Sequence, residues 1–178
     1  MERLHYDLTS FEHVPLFKNQ DLEEGFFLCV IHANKVPPHL GISINGKFFS
    51  SKAKGKDLNI PIDRIVQVLR KKMIAGLFVK LNPSLVSEEN VNRVFNLLPS
   101  SIEGEQTCLG PIRELVGAPE SVEHIGDLLA YLESDESIIE RITINLPTGF
   151  KGIPWYSLTE IKQRIEFLKN DKGRKNTP

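Results

Sequence analysis

A tight β-hairpin is written into the stretch Pro37-Pro38-His39-Leu40-Gly41-Ile42-Ser43-Ile44-Asn45-Gly46-Lys47-Phe48-Phe49. Asn45-Gly46 is the strongest short signal for a two-residue type I′ turn, because both central positions need positive φ. Leu40, Ile42, Ile44 and Phe49 supply strand-type side chains on either side of it. The hairpin, expected over residues 40–52, carries His39 at its mouth. A rigid strand end can hold an imidazole in one orientation, which is what a general base requires.

The rest of the chain reads as strands early and helices late. Phe26 to His32 is a short apolar run with the composition of a strand buried on both faces. Lys54-Gly55-Lys56-Asp57 reads as a polar turn. Pro61 suits a first helical position, with Ile62, Ile65, Val66 and Leu69 at helical spacing and cations at the far end. Gly76 to Leu81 predicts a strand, stopped by Asn82-Pro83. Ser87-Glu88-Glu89-Asn90 predicts an N-cap with an acidic first turn, followed by the stripe Val91, Val94, Phe95 and Leu98. Helices are expected over 111–116 and 121–132, a strand over 141–146, and a last helix opened by the capping box Ser157-Leu158-Thr159-Glu160. Residues 1–20 show no clean period. That order argues α+β rather than a doubly wound parallel sheet. The organisation expected is one domain over 1–168 and a polar tail without fixed structure over 169–178.

Composition narrows the partners. A net charge of −1 gives no long-range field favouring nucleic acid or anionic lipid. No apolar run approaches the roughly 20 residues that span a bilayer, and Met1-Glu2-Arg3-Leu4-His5 lacks the layout of a secretory signal. Two cysteines do not make a disulfide framework, so the expected compartment is the reducing cytoplasm. There a free thiol is either core filler or a nucleophile.

Cys29 lies inside the apolar run Phe-Phe-Leu-Cys-Val-Ile and reads as core. Cys108 stands where a helix begins, with Thr107 or Cys108 itself as N-cap. A helix N-terminus depresses a thiol pKa through free N–H groups and the dipole, and a neighbouring imidazole can take the proton. Cys108 and His39 are therefore the candidate nucleophile and base, if the hairpin packs against that helix. A zinc site from Cys29, His32 and His39 is disfavoured, since Cys29 and His32 fall on opposite faces of one strand. His5, His13 and His124 have no partner pattern, and Trp155 reads as an anchor. No cofactor or metal is expected.

The layout Asp21-Leu22-Glu23-Glu24-Gly25, an apolar strand, then Pro38-His39-Leu40-Gly41-Ile42-Ser43-Ile44 and Asn45-Gly46-Lys47-Phe48-Phe49 resembles the circularly permuted papain-like hydrolases of the NlpC type. That group includes lecithin:retinol acyltransferase-like enzymes. In the family a histidine opens a hairpin, a polar residue follows on the next strand, and a downstream cysteine begins a helix. His39 and Cys108 match in that permuted order, over residues 21 to 117. The sequence departs from the pattern at three places. Phe26 stands where an aspartate follows the glycine, the third polar group falls at Ser51 or Ser50, and the helix after Cys108 begins Leu109-Gly110-Pro111.

The resemblance implies a papain-like core with a small antiparallel sheet packed against helices. It implies a thiol-dependent hydrolase or acyltransferase acting on an amide or ester. Cys108 would attack the carbonyl, His39 would move the proton, and Ser51 (or Ser50) would orient His39. The backbone N–H of Cys108, with Gln106, would stabilise the oxyanion. Small peptides, conjugates or lipid acyl groups are the expected substrates. A catalytically inactive papain-like binding module is the other reading.

Overall fold

The computed structural model describes residues 3–100 and 107–171. Asn45 and Gly46 take the left-handed backbone the turn demands, with φ of 48° and 74°. They join β4 (His39–Ile44) to β5 (Lys47–Lys52) with Ile44 opposite Lys47. Around this hairpin a seven-stranded sheet assembles. Before it come β1 (Leu4–Asp7), β2 (Val14–Pro15) and β3 (Phe26–Ile31). After it come β6 (Gly55–Pro61), α1 (Ile62–Lys71), β7 (Gly76–Leu81), α2 (Glu88–Leu97) and α3 (Leu109–Leu115). The chain continues through α4 (Ile125–Ser134), β8 (Ile138–Ile144), β9 (Gly152–Pro154) and α5 (Leu158–Asn170). The sheet order is β2-β8-β7-β3-β4-β5-β6, antiparallel throughout except for the β2–β8 pair, and β1 with β9 forms a separate ribbon.

The fold is therefore a mixed α and β arrangement, with a wider sheet than the small one expected. The two faces of that sheet bury separate cores. Leu28, Leu40, Ile42, Phe49 and Val79 pack with Phe95, Ile112, Leu128 and Ile161 of the later helices. Phe27, Cys29, Phe48 and Phe78 pack on the other face with Ile62, Ile65, Val66 and Leu69 of α1. Each fully buried phenylalanine is worth about 1.5–3 kcal/mol by removal from water. Cys29 is wholly buried among them, as core.

Several boundaries differ from expectation, each for a physical reason. The polar run at residues 54–57 is no turn. Only Ala53 and Lys54 turn, and Gly55, at φ 118°, starts β6 with Lys52 opposite it. β6 is a sheet edge, where charged residues and Pro61 are tolerated. Pro61 accordingly closes the strand, with ψ of 127°, and precedes α1 rather than entering it. His124 and Asp127 cap α4, so it starts at Ile125 instead of residue 121. β8 begins at Ile138 and ends before Asn145, whose φ is 51°. Lys169 and Asn170, assigned by sequence to the tail, are the last turn of α5, and the rest of that tail past Asp171 lies outside the described residues. The strands β1, β2 and β9 were not foreseen. Tyr6 of β1 ties the ribbon to the main sheet: Arg141 Nε donates to its hydroxyl at 2.8 Å and that hydroxyl donates to Glu133 at 2.6 Å. Among the described residues no helix is long and apolar enough to cross a membrane.

Candidate functional site

His39 is the first residue of β4, opposite Ile31 of β3, and keeps part of its surface in a cleft. Strand alternation puts it on the same face as Gly41. Gly41 lies directly opposite Ser50 of β5, and Ser50 lies directly opposite Asp57 of β6. The ring of His39 reaches diagonally to Ser50, with Nε2 at 3.1 Å from Oγ, while the ring of Phe48 lies over Gly41. Ser50 Oγ donates to Asp57 Oδ2 at 2.6 Å, and Lys52 Nζ donates to Asp57 Oδ1 at 2.7 Å. Four side chains on three adjacent strands thus form one polar chain.

The same alternation settles which serine meets the histidine. Ser50 shares the face of Phe48 and Lys52, whereas Ser51 faces the opposite side of β5. Ser50, the second choice from sequence, bonds His39; Ser51 lines the cleft without touching that chain of bonds. Asp57 and Lys52 escaped the sequence reading, because the stretch around Asp57 passes for a turn. The apolar alternation Leu58, Ile60 ahead of Pro61 was the available signal that this stretch is a strand.

Cys108 occupies the N-cap position of α3 with helical angles (φ −62°, ψ −16°). Thr107 Oγ1 accepts from the Leu109 N–H at 3.3 Å. Pro111 falls within the first turn, where its missing N–H breaks no helical bond, which removes the apparent conflict of Gly110-Pro111 with a helix start. The Cys108 sulfur is partly buried and receives the backbone N–H of Leu40, the residue after His39. The start of α3 therefore meets the backbone of the hairpin, but Cys108 packs with the core on the Leu40 face of the sheet, whereas the His39 side chain belongs to the opposite face with Gly41. Gln106 lies outside the described residues.

A cleft of about 810 Å³ runs past the end of β4, within the size range of small-ligand sites. His39, Ser51, Asp57, Cys108 and Tyr156 line it, together with Leu69 of α1 and Ile165 of α5. Electrostatics there differ from the sequence expectation. Burial pushes the Cys108 thiol above its usual pKa, and the N–H groups of Leu40 and of Cys108 itself pull it back by less. The helix start does not yield the depressed pKa expected. Burial also pushes the His39 imidazole down to about 4, against Asp57, which raises it, and together with Lys52 and His32, which lower it. Both groups rest neutral near pH 7.

Beside the cleft, His5 and His124 stack at 4.5 Å, giving each the partner the sequence did not indicate. His5 Nε2 donates to the Tyr156 carbonyl at 2.7 Å, and Arg3 lies over Trp155 at 4.6 Å. Among the described residues no group of three or more His, Cys, Asp and Glu side chains is placed to hold a metal ion. Compared with models of protein families, with curated proteins and with solved structures, the chain matches none.

Proposed function

We propose that this protein is a thiol-dependent hydrolase or acyltransferase of circularly permuted papain-like architecture, working on an amide or ester bond. The observation that carries the reading is the sulfur of Cys108 against the Leu40 backbone N–H, one residue from His39, with both residues lining one cleft. In the proposed reaction the Sγ proton passes through the shared cleft, around the head of β4, to His39 Nδ1, and the sulfur attacks the substrate carbonyl carbon. The imidazolium returns that proton to the leaving amine or alkoxide as the carbon–heteroatom bond breaks. A thioester on Cys108 remains, and water or an acceptor nucleophile, deprotonated by His39, displaces the sulfur. The Cys108 N–H supplies an oxyanion donor. Small peptides, conjugates and lipid acyl groups are the proposed substrates, in a cytoplasmic setting.

The test is turnover of an activated ester, with mass spectrometry of the intact chain. The expected result is a burst of leaving group and one acyl adduct on Cys108, absent in Cys108→Ser and reduced by at least about 100-fold in His39→Ala. An adduct that forms equally fast in His39→Ala refutes the pairing. The raised pKa of the Cys108 thiol favours a second reading, a papain-like binding module without catalysis. That reading expects no adduct and slow alkylation of Cys108 at the same rate in wild type and His39→Ala.

A further inference from the structure

The polar chain behind His39 has a direction, and the direction selects a tautomer. Ser50 Oγ carries one hydrogen. Asp57 is held by Lys52 Nζ at 2.7 Å and, as a carboxylate, can only accept. At 2.6 Å from Asp57 Oδ2, Ser50 therefore spends its hydrogen on Asp57. Only lone pairs of Ser50 Oγ then remain for His39 Nε2 at 3.1 Å, so Nε2 must be the nitrogen that carries hydrogen.

We infer that Asp57 is a positioning residue: acting through Ser50, it locks His39 as the Nε2–H tautomer and leaves Nδ1 as the lone pair that receives a proton. Lys52 Nζ, 2.7 Å from Oδ1, holds the Asp57 side chain in place. The arrangement places a negative charge two hydrogen bonds from the ring, on the side away from the free nitrogen. When Nδ1 takes a proton, the resulting imidazolium keeps donating from Nε2 to Ser50. The charged and titratable groups acting on the ring are Asp57 from β6, Lys52 from β5 and His32 at the end of β3, with Cys108 of α3 in the same cleft. Burial of Ser50 and near-burial of Asp57 (0% and 9% exposed) keep water from replacing either link. The role of Asp57 in proton transfer rests on the function proposed above, but the tautomer itself is measurable without any substrate.

The experiment is long-range ¹H–¹⁵N correlation of the histidine side chains in the intact ¹⁵N-labelled chain at neutral pH, with His39 assigned by its disappearance in His39→Gln. Wild type is expected to show a protonated Nε2 and an unprotonated Nδ1. In Asp57→Ala the Ser50 hydroxyl is free to turn and donate to the ring, and in Ser50→Ala the acceptor is gone. Each change is expected to move the tautomer ratio at least about fivefold toward Nδ1–H, the worth of one neutral hydrogen bond. Alkylation of Cys108 in Asp57→Ala is expected to slow about 10- to 100-fold, less than the ~10⁴ lost when a directly bonded carboxylate is removed. An Nδ1–H ring in wild type, or an unchanged ratio in the variants that fold, overturns the inference. The wild-type spectrum decides even if Asp57→Ala does not fold. The acyl-adduct test reads Cys108 and this one reads His39, so a failure of either is recognised separately.

Discussion

Replacing His39 by Gln should flatten the acid side of the stability profile by about 3 kcal/mol. The imidazole has a pKa of about 4 in the folded chain against 6.5 for an ordinary histidine. Between those two values the unfolded chain binds the extra proton and the folded chain does not, so unfolding is favoured as pH falls. The sign is therefore fixed: stability from His39 is complete above about 6.5, drains through the window from 6.5 to about 4, and is constant below it. At 1.36 kcal/mol per pH unit, the loss reaches about 3 kcal/mol by the lower edge. Carboxylates such as Asp7, Glu88 and Glu160, whose pKa values are lowered by hydrogen bonds, also lose stability in acid. So does His5, lowered by burial. Those losses occur in both proteins and cancel in the difference. The assay is urea unfolding of wild type and His39→Gln at steps from neutral pH to pH 4. Parallel curves would mean that His39 titrates as an exposed ring does, and the buried polar chain behind it would lose its energetic basis.

Three further outcomes follow from particular contacts. Alkylation of Cys108 in the wild-type chain should still be accelerating at pH 9, because burial raises its thiol; a plateau near neutrality would contradict this. Gly41→Ala would put a Cβ 2.5 Å from the Phe48 ring and 2.7 Å from the Phe49 carbonyl oxygen, and should cost about 1–3 kcal/mol by thermal melting. An unshifted melting curve would show that the sheet yields there without cost. Arg141→Ala removes the guanidinium that binds Tyr6 and Glu133 and covers Phe11 at 4.2 Å, and should cost about 1–3 kcal/mol. The double variant with Tyr6→Phe should lose less than the sum of the two single losses, since both act in one network.

Local signals in the sequence served where the cause of structure is local. Asn45-Gly46 favours positive φ at both positions, so the turn was legible to the residue and the hairpin to within one, its first strand starting at His39 rather than Leu40. The run from Gly76 to Leu81 matches β7 at both ends, and Ser157 with Glu160 caps α5 as its spacing implies. Misreadings occurred where a neighbour in space decides. Lys56-Asp57 is polar enough for a turn, and becomes a strand because β5 offers a ladder and Lys52 and Ser50 satisfy the carboxylate. Ile138 to Glu140 has no clear alternation, yet Leu81 and Lys80 of β7 pair with it. β1 exists only because β9 lies beside it. At the site, the nearness of the hairpin to Cys108 could be posed from sequence but not seen. The choice between Ser50 and Ser51 needed the register, in which one residue of slip moves a side chain to the other face.

The pairing of a raised thiol with a lowered imidazole bears on how the proposed chemistry would run. Two neutral groups do not form a resting ion pair, so charge must separate as substrate reacts rather than before it. Separation in a partly buried cleft is costly unless each new charge meets a prepared partner. The thiolate side has two backbone N–H groups, from Leu40 and from Cys108 itself. The imidazolium side has Asp57, delivered through Ser50, and among the described residues nothing else anionic acts on the ring to raise its pKa. On the proposed reading the edge strand β6 is therefore as necessary as the hairpin that carries His39. A chain that kept Cys108 and His39 but lost Asp57 would retain the fold's cleft and most of its packing while losing the support for one of the two charges. That contrast separates the hydrolase from the binding module: acyl transfer to Cys108 should fall in Asp57→Ala, whereas a binding module has no acyl transfer to lose.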